Sequence, residues 1–309
     1  MKWKKLGLMF CPDGTQEWAR THGMVPTPVF LPDLGVIRIF MTCCDSAGLG
    51  RPGFVDVSPD DPTRVISPLT GPLMDIGLPG TFDESGVLGT SVVQAADGRL
   101  FLYYVGFETG TRIRYRLLSG LAISEDHGRT FVRHSSTPVL ERNEEDLYFR
   151  GGPYVIAEGG RFRMWYVGGS NWLDVGGKAM PEYRIKYIDS QDGVRWDGKG
   201  QLVMDITEPD EHGFGRPWVL PNLEYGYEMY YSIRRKSLGA YRMGFATSPN
   251  GRDWDRKDAS MGLDVGPDDF DSDAIMYAAV IEVDGRTYCY YNGNDFGKAG
   301  FAVAVREEA

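Results

Sequence analysis

An all-β fold, specifically a five-bladed β-propeller, is predicted by three features of the 309-residue sequence. The first is a recurring turn. Ser124-Glu125-Asp126-His127-Gly128-Arg129-Thr130-Phe131 returns as Ser190-Gln191-Asp192-Gly193-Val194-Arg195-Trp196 and Ser248-Pro249-Asn250-Gly251-Arg252-Asp253-Trp254, with a degenerate copy from Ser58 to Val65. The copies start 66, 66 and 58 residues apart, a period that suits propeller blades rather than solenoid repeats. The second is composition: 13% aromatic residues and 40 glycines suit many short strands joined by tight turns. The third is the near absence of helical periodicity, since Pro and Gly interrupt each candidate window.

Each turn has a local cause. Asp or Asn caps nearby backbone, Gly takes the positive-φ position, and the aromatic residue begins the next strand by burying its ring. Strands at Gly120–Ile123, Tyr183–Ile188 and Tyr241–Thr247 lead into the three clear copies. Innermost strands are expected at Val25–Leu31, Gly86–Ala95, Gly152–Ala157, Arg216–Leu220 and Ala274–Glu282. Aromatic-rich second strands follow at Val36–Thr42, Arg99–Gly106, Arg161–Gly168, Tyr227–Ile233 and Arg286–Asn292. Adjacent aromatics such as Tyr103/Tyr104, Trp165/Tyr166, Tyr230/Tyr231 and Tyr290/Tyr291 put one ring on each face of a strand buried on both sides. The fifth unit has a third strand, Gly300–Val305, but no turn and no outer strand after it. Trp3-Lys4-Lys5-Leu6-Gly7-Leu8 reads like the stretch from Trp196 to Leu202. An N-terminal strand is therefore expected to complete the last blade, close the ring and remove its exposed edges, giving one domain over residues 1–309.

Net charge of −10 and a pI near 5 argue against nucleic acid or an anionic membrane as partner. Cys11, Cys43, Cys44 and Cys289 show no metal-ligand spacing and are expected to be buried, reduced thiols. Neither a metal nor a cofactor is indicated. The start Met1-Lys2-Trp3-Lys4-Lys5 leads into no signal-peptide core, and no apolar run of about 18 residues exists for a membrane helix. A cytoplasmic location is expected, with oligomeric state left open.

In a propeller, the loops leading into the innermost strands share a face with those joining second and third strands. Here they supply Trp18, Arg20 and His22; Asp83 and Glu84; Asp146, Tyr148 and Arg150; Glu211, His212 and Arg216; and Asp271. Arg51, Trp172, Arg234 and Asn292 come from the second set. Arg20, Arg51, Arg150, Arg216 and Arg234 fall at corresponding positions in different units. Planar guanidinium groups bind carboxylate or phosphate in pairs, so a converging set points to an anionic substrate group; alternatively each pairs with a funnel carboxylate. Glycoside cleavage needs two carboxyl groups about 5–10 Å apart, which Glu84 with Asp271, or Asp83 with Glu211, could supply unless they only cap loops. Trp18, Tyr148 and Trp172 could stack on a sugar face. His22 and His212 are the histidines placed for acid–base work, whereas His127 and His134 flank a turn and are expected at the surface.

The Ser-x-Asp-Gly-x-x-Trp turns, with Gly151-Gly152-Pro153-Tyr154-Val155-Ile156 followed by Phe162-Arg163-Met164-Trp165-Tyr166, resemble the five-bladed glycosidase superfamily that includes glycoside hydrolase families 43, 32 and 130. The first turn also resembles a sialidase Asp box, a mark of turn geometry rather than activity. Family 43 would imply an Asp on each of the first two blades and a Glu before Gly-Pro on the third. Here the corresponding stretches read Thr21-His22-Gly23, Asp83-Glu84 and Arg150-Gly151-Gly152-Pro153, so the triad is incomplete. Family 130 resemblance would imply phosphorolysis with one carboxylic acid and cationic phosphate ligands. The expectation is a carbohydrate-active enzyme taking a small carbohydrate or sugar phosphate. In it Glu84 or Asp83 serves as acid/base, Asp271 as second carboxylate, and Arg150, Arg216 and Arg51 hold an anion. A silent glycan- or protein-binding propeller, or an isomerase or transferase using His22 as base, are the alternatives.

Overall fold

The computed structural model describes residues 1–307, and nearly every ordered element in it is a strand. After β1 (Trp3–Phe10) come β2 (Thr21–Leu31), β3 (Val36–Cys44) and β4 (Gly50–Val57), an antiparallel meander. A second meander holds β5 (Val87–Gln94), β6 (Leu100–Thr109), β7 (Tyr115–Ser124) and a short β8 (Val132–Arg133). The third is β9 (Phe149–Glu158), β10 (Arg161–Val175), β11 (Lys178–Ser190) and β12 (Gln201–Met204). The fourth is β13 (Glu211–Asn222), β14 (Gly226–Arg235), β15 (Ala240–Ser248) and β16 (Asp255–Arg256). The last is β17 (Met276–Val283), β18 (Arg286–Asn292) and β19 (Phe301–Arg306), and β1 pairs antiparallel with β19 as its fourth strand. The first strands are neighbours in the order β2, β5, β9, β13, β17, and β17 also packs against β2. No helix among the described residues is long and apolar enough to cross a membrane.

The turns behave as their residues dictate. Asp126 accepts the amides of Arg129 and Thr130 at 3.0 and 2.9 Å, and Asp192 accepts those of Val194 and Arg195, both at 2.8 Å. Amides, first that of Arg195, hold the Asp192 carboxyl below its ordinary value. Gly128, Gly193 and Gly251 sit at φ 79°, 72° and 75°. Strands β8 and β16 begin directly after Phe131 and Trp254, as expected. After Trp196, however, Asp197–Gly200 intervene before β12 starts at Gln201, because Gly198 and Gly200 turn the chain at φ 104° and 77°. The degenerate first copy produces only isolated bridges, Val57 to Val65 and Phe54 to Thr70.

The second strands form the packed interior. Tyr103, Tyr104, Trp165, Tyr166, Tyr230, Tyr231, Tyr290 and Tyr291 are fully buried. Several of them reach out of their own meander into the turn of the next. Tyr103 Oη donates to Gly193 O at 2.7 Å, Trp165 Nε1 to Gly251 O at 2.8 Å, and Tyr290 Oη to Pro62 O at 2.8 Å. In β3 the equivalent place is taken by Phe40, which packs on Gly128, while Arg38 two residues earlier donates to His127 O at 2.6 Å, as Arg163 does to Asn250 O at 2.6 Å. Cys43, Cys44 and Cys289 are buried, but Cys11 is exposed because it lies in the loop just after β1. His127 and His134 are exposed.

A candidate binding cavity and the groups that line it

Segments from all five meanders line an inner cavity of about 370 Å³, and an outer cavity of about 710 Å³ shares Arg234, Tyr241 and Phe296 with it. Backbone strain concentrates here. Of the seven non-glycine residues at positive φ among the described residues, His22, Val25, Tyr277, Asp295 and Phe296 line one or both cavities. Such conformations cost energy and persist only where surrounding structure imposes them. For Val25 the imposing group is Asn292, whose Oδ1 accepts the Val25 amide at 2.7 Å while its Nδ2 donates to Gly23 O and Gly300 O. Asn292 is thus a support behind the wall and does not itself line either cavity.

The five arginines do not converge on one space; of them only Arg216 and Arg234 line the inner cavity. Arg20 pairs with Glu17 and donates to Gly14 O. Arg51 lies between Asp45 at 2.8 Å and Asp75 at 2.6 Å. Arg150 is buried among Glu141 O, Tyr166 Oη and Gly198 O, with Asp146 at 3.7 Å. Arg216 lines the inner cavity but spends its donors on the innermost strands: Thr90 O, Pro26 O, Tyr277 O and Thr27 Oγ1, over the ring of Trp218. Burial lowers its pKa to about 9, so it stays charged at neutral pH.

Arg234 differs from the other four. It is 8% exposed, lines both cavities and stands 4.6 Å from the ring centre of Tyr241. Its Nε donates to Tyr241 Oη at 2.6 Å, while neither Nη has a protein acceptor and no carboxylate pairs with it among the described residues. A buried charge without a counter-ion is costly, and a site-facing guanidinium fork suits a planar or tetrahedral anion.

The carboxylates expected to do chemistry are held elsewhere. Asp83 is fully buried, bound by Arg133 at 2.7 Å and Tyr104 Oη at 3.1 Å. Asp271 is likewise buried, bound by Lys5 at 2.6 Å and Tyr291 Oη at 3.0 Å. Glu211 takes Arg256 at 2.6 Å, and Asp146 takes Lys186 at 2.9 Å. The cations of Asp83, Asp271 and Glu211 come from the fourth strands β8, β1 and β16 of their meanders. These are repeated ties between an approach loop and an outer strand. Glu84 accepts the Gly80 amide at 2.6 Å. None of Asp83, Glu84 and Asp271 lines either cavity, and no Asp or Glu among the described residues lines the inner one. Asp269, Asp273 and Asp295 line the outer one.

Among the aromatics, Trp18 packs on Gly53 and Gly71, Tyr148 on Phe149, and Trp172 on Tyr115 and Phe149, all outside the lining of the two cavities. The rings that do line the inner cavity include Tyr115, Tyr183, Tyr241 and Tyr277. Two of these carried a legible signal, since Tyr183 and Tyr241 each stand seven residues before the serine of a turn, Ser190 and Ser248. His22 lines the inner cavity, and its Nδ1 lies 2.8 Å from Thr21 Oγ1. Burial, then nearby Lys298, lowers its pKa and keeps the imidazole neutral at neutral pH. His212 lines the outer cavity with its pKa lowered by burial, and its Nδ1 contacts Pro181 O at 3.0 Å.

No protein-family model matches the chain. Among solved structures, it is similar to one described as a glycoside hydrolase, with TM-score 0.78 and 18% identity over 99% of this chain and 92% of that one. Another is a BT0996 complex with RGII in its name, with TM-score 0.76 and 18% identity over 98% and 91% of the two proteins. A thermostable family-43 glycoside hydrolase superposes with TM-score 0.68 and 15% identity over 94% and 91%. At these identities the likeness is one of fold: the chain has the all-β, propeller-like architecture of those enzymes. In sequence, the uncharacterized protein Rv1502 of Mycobacterium tuberculosis is 34% identical over 307 residues, covering 99% of this chain and 100% of the relative. By that likeness, which runs the length of both chains, the protein belongs to one family with Rv1502.

Proposed function

We propose that the chain is a single five-bladed propeller, closed by β1, whose central funnel takes a sugar carrying an anionic group. Five blades and closure are supported by the strand order within the meanders and by β17 packing on both β13 and β2. A carbohydrate ligand is supported by the fold shared with glycoside hydrolases and with a complex named for RGII. The observation that carries the anionic group is Arg234, a buried guanidinium whose two Nη groups find no protein acceptor among the described residues. Arg216 lines the inner cavity with it, and neutral His22 is the group of that lining placed to act as a base. Asp83 and Asp271 then serve as supports rather than as acid and nucleophile.

A second reading, binding without hydrolysis, is favoured by the inner cavity's lack of a carboxylate among the described residues. Calorimetric titration with glucuronic acid, glucose 1-phosphate and glucose separates these ideas. The anionic sugars should bind more tightly than glucose, and Arg234→Met should weaken them about tenfold or more. Unchanged affinity in that variant sinks the anion reading. Binding of anionic glycosides that never release product, in wild type and in Asp295→Asn and His22→Gln alike, selects the binding reading.

A further inference from the structure

The inner cavity is poorly suited to a sugar ring, and this bears on what accompanies the anion. Its walls include Met24, Val87, Leu88, Val105, Phe107 and Leu117. Several polar groups of the same lining are already engaged, although Arg234 and His22 are not fully so. Thr42 Oγ1 accepts the Gly89 amide at 3.1 Å, Thr90 Oγ1 donates to Pro153 O at 2.8 Å, and the Arg216 guanidinium donates to the innermost strands through all three of its nitrogens. Sugar hydroxyls buried against the apolar walls and the engaged groups would leave water with few replacement partners, which is unfavourable, whereas an apolar group would be stabilised by burial. The outer cavity has the opposite character, with Lys178, Asp269, Asp273, Asn294, Asp295 and Lys298 on its walls. Arg234 belongs to both linings.

We infer that the ligand is a glycoconjugate with three parts in line: an apolar, aromatic or acyl group in the inner cavity, an anionic group at Arg234, and a sugar in the outer cavity. This rests on the assignment of Arg234 as anion ligand and adds the apolar group. The anion is a phosphoryl or carboxyl group, since either fits a guanidinium fork.

The test is a set of calorimetric titrations on the full chain with phenyl phosphate, inorganic phosphate, glucose 1-phosphate, benzoate and benzyl alcohol. Phenyl phosphate should bind about tenfold or more tightly than inorganic phosphate, because a phenyl ring is buried with the anion. Neutral benzyl alcohol should be weaker than benzoate by a similar factor, and Arg234→Met should remove that difference. Leu88→Trp, which fills the inner cavity, should weaken phenyl phosphate and leave glucose 1-phosphate unchanged, with thermal unfolding confirming that it folds. The preference of phenyl phosphate over benzoate, or the reverse, tells phosphoryl from carboxyl. If phenyl phosphate binds no more tightly than inorganic phosphate to the wild type, the apolar group is overturned while Arg234 can still stand. If no anionic probe depends on Arg234, both readings fall together.

Discussion

Two buried arginines on one cavity illustrate how similar residues acquire different work. Arg216 gives its donors to carbonyls of β2, β5 and β17 and to the Thr27 hydroxyl, so it fastens innermost strands that are far apart in sequence. Arg234 makes one hydrogen bond to a phenol and keeps the rest of its fork toward the cavities. Replacing Arg216 by Met would leave several buried carbonyls without donors. A loss of about 3 kcal/mol or more is expected, read as a lower urea midpoint with unchanged slope. Arg234→Met removes a charge without counter-ion and should cost little stability or even raise it while weakening anionic ligands. Equal destabilisation by the two variants would contradict this division.

At the level of strands and turns, the Ser-x-Asp motif does more than reverse the chain. Its glycine carbonyls accept bonds from Tyr103 and Trp165 of the preceding meander. The same glycines leave room for those side chains: a Cβ on Gly193 would lie 2.8 Å from Tyr103 Oη, and one on Gly251 would lie 3.0 Å from the Trp165 ring. The acid–cation ties act at the other end of the strands, and β1 uses one of them through Lys5 and Asp271. Lys5→Met should therefore cost roughly 3 kcal/mol, because it strands a fully buried carboxylate, while Lys4→Met on the exposed face of β1 should stay within about 0.5 kcal/mol. Thermal or urea unfolding of the two variants gives the comparison, and equal effects would remove the tie's role in holding β1. The carboxylates at the approach loops were visible in the sequence as a periodic set, but their partners were not. A periodic acid facing a periodic cation is a structural repeat, and only the fourth strands reveal the cations.

For the molecule as a whole, stability should fall on mild acidification for an identifiable reason. Burial lowers the pKa of both His22 and His212 in the folded state. The unfolded chain then takes up protons first, near the ordinary histidine value of about 6.5, so stability is full above that pH and declines as pH drops below it. The urea midpoint of wild type should fall between about pH 7.5 and 5.5, and the double variant His22→Gln/His212→Gln should show a shallower fall. Parallel pH dependences in the two proteins would count against it.

The same contrast of distance separates what the sequence alone determined from what folding decided. The turns, the aromatic second strands and the pairing of an N-terminal strand with the last unit follow from short-range chemistry and a repeat. Asp126 caps amides three and four residues away, and such contacts are written locally. The cavity is assembled from contacts of another kind: Arg216 meets acceptors 61, 126 and 190 residues distant. Whether an arginine at this end of the strands ends on a carboxylate, on carbonyls or facing open space depends on where the innermost strands converge. That convergence paired Arg51 with Asp45 and Asp75, buried Asp83 and Asp271 under their own outer strands, and left Arg234 lining both cavities.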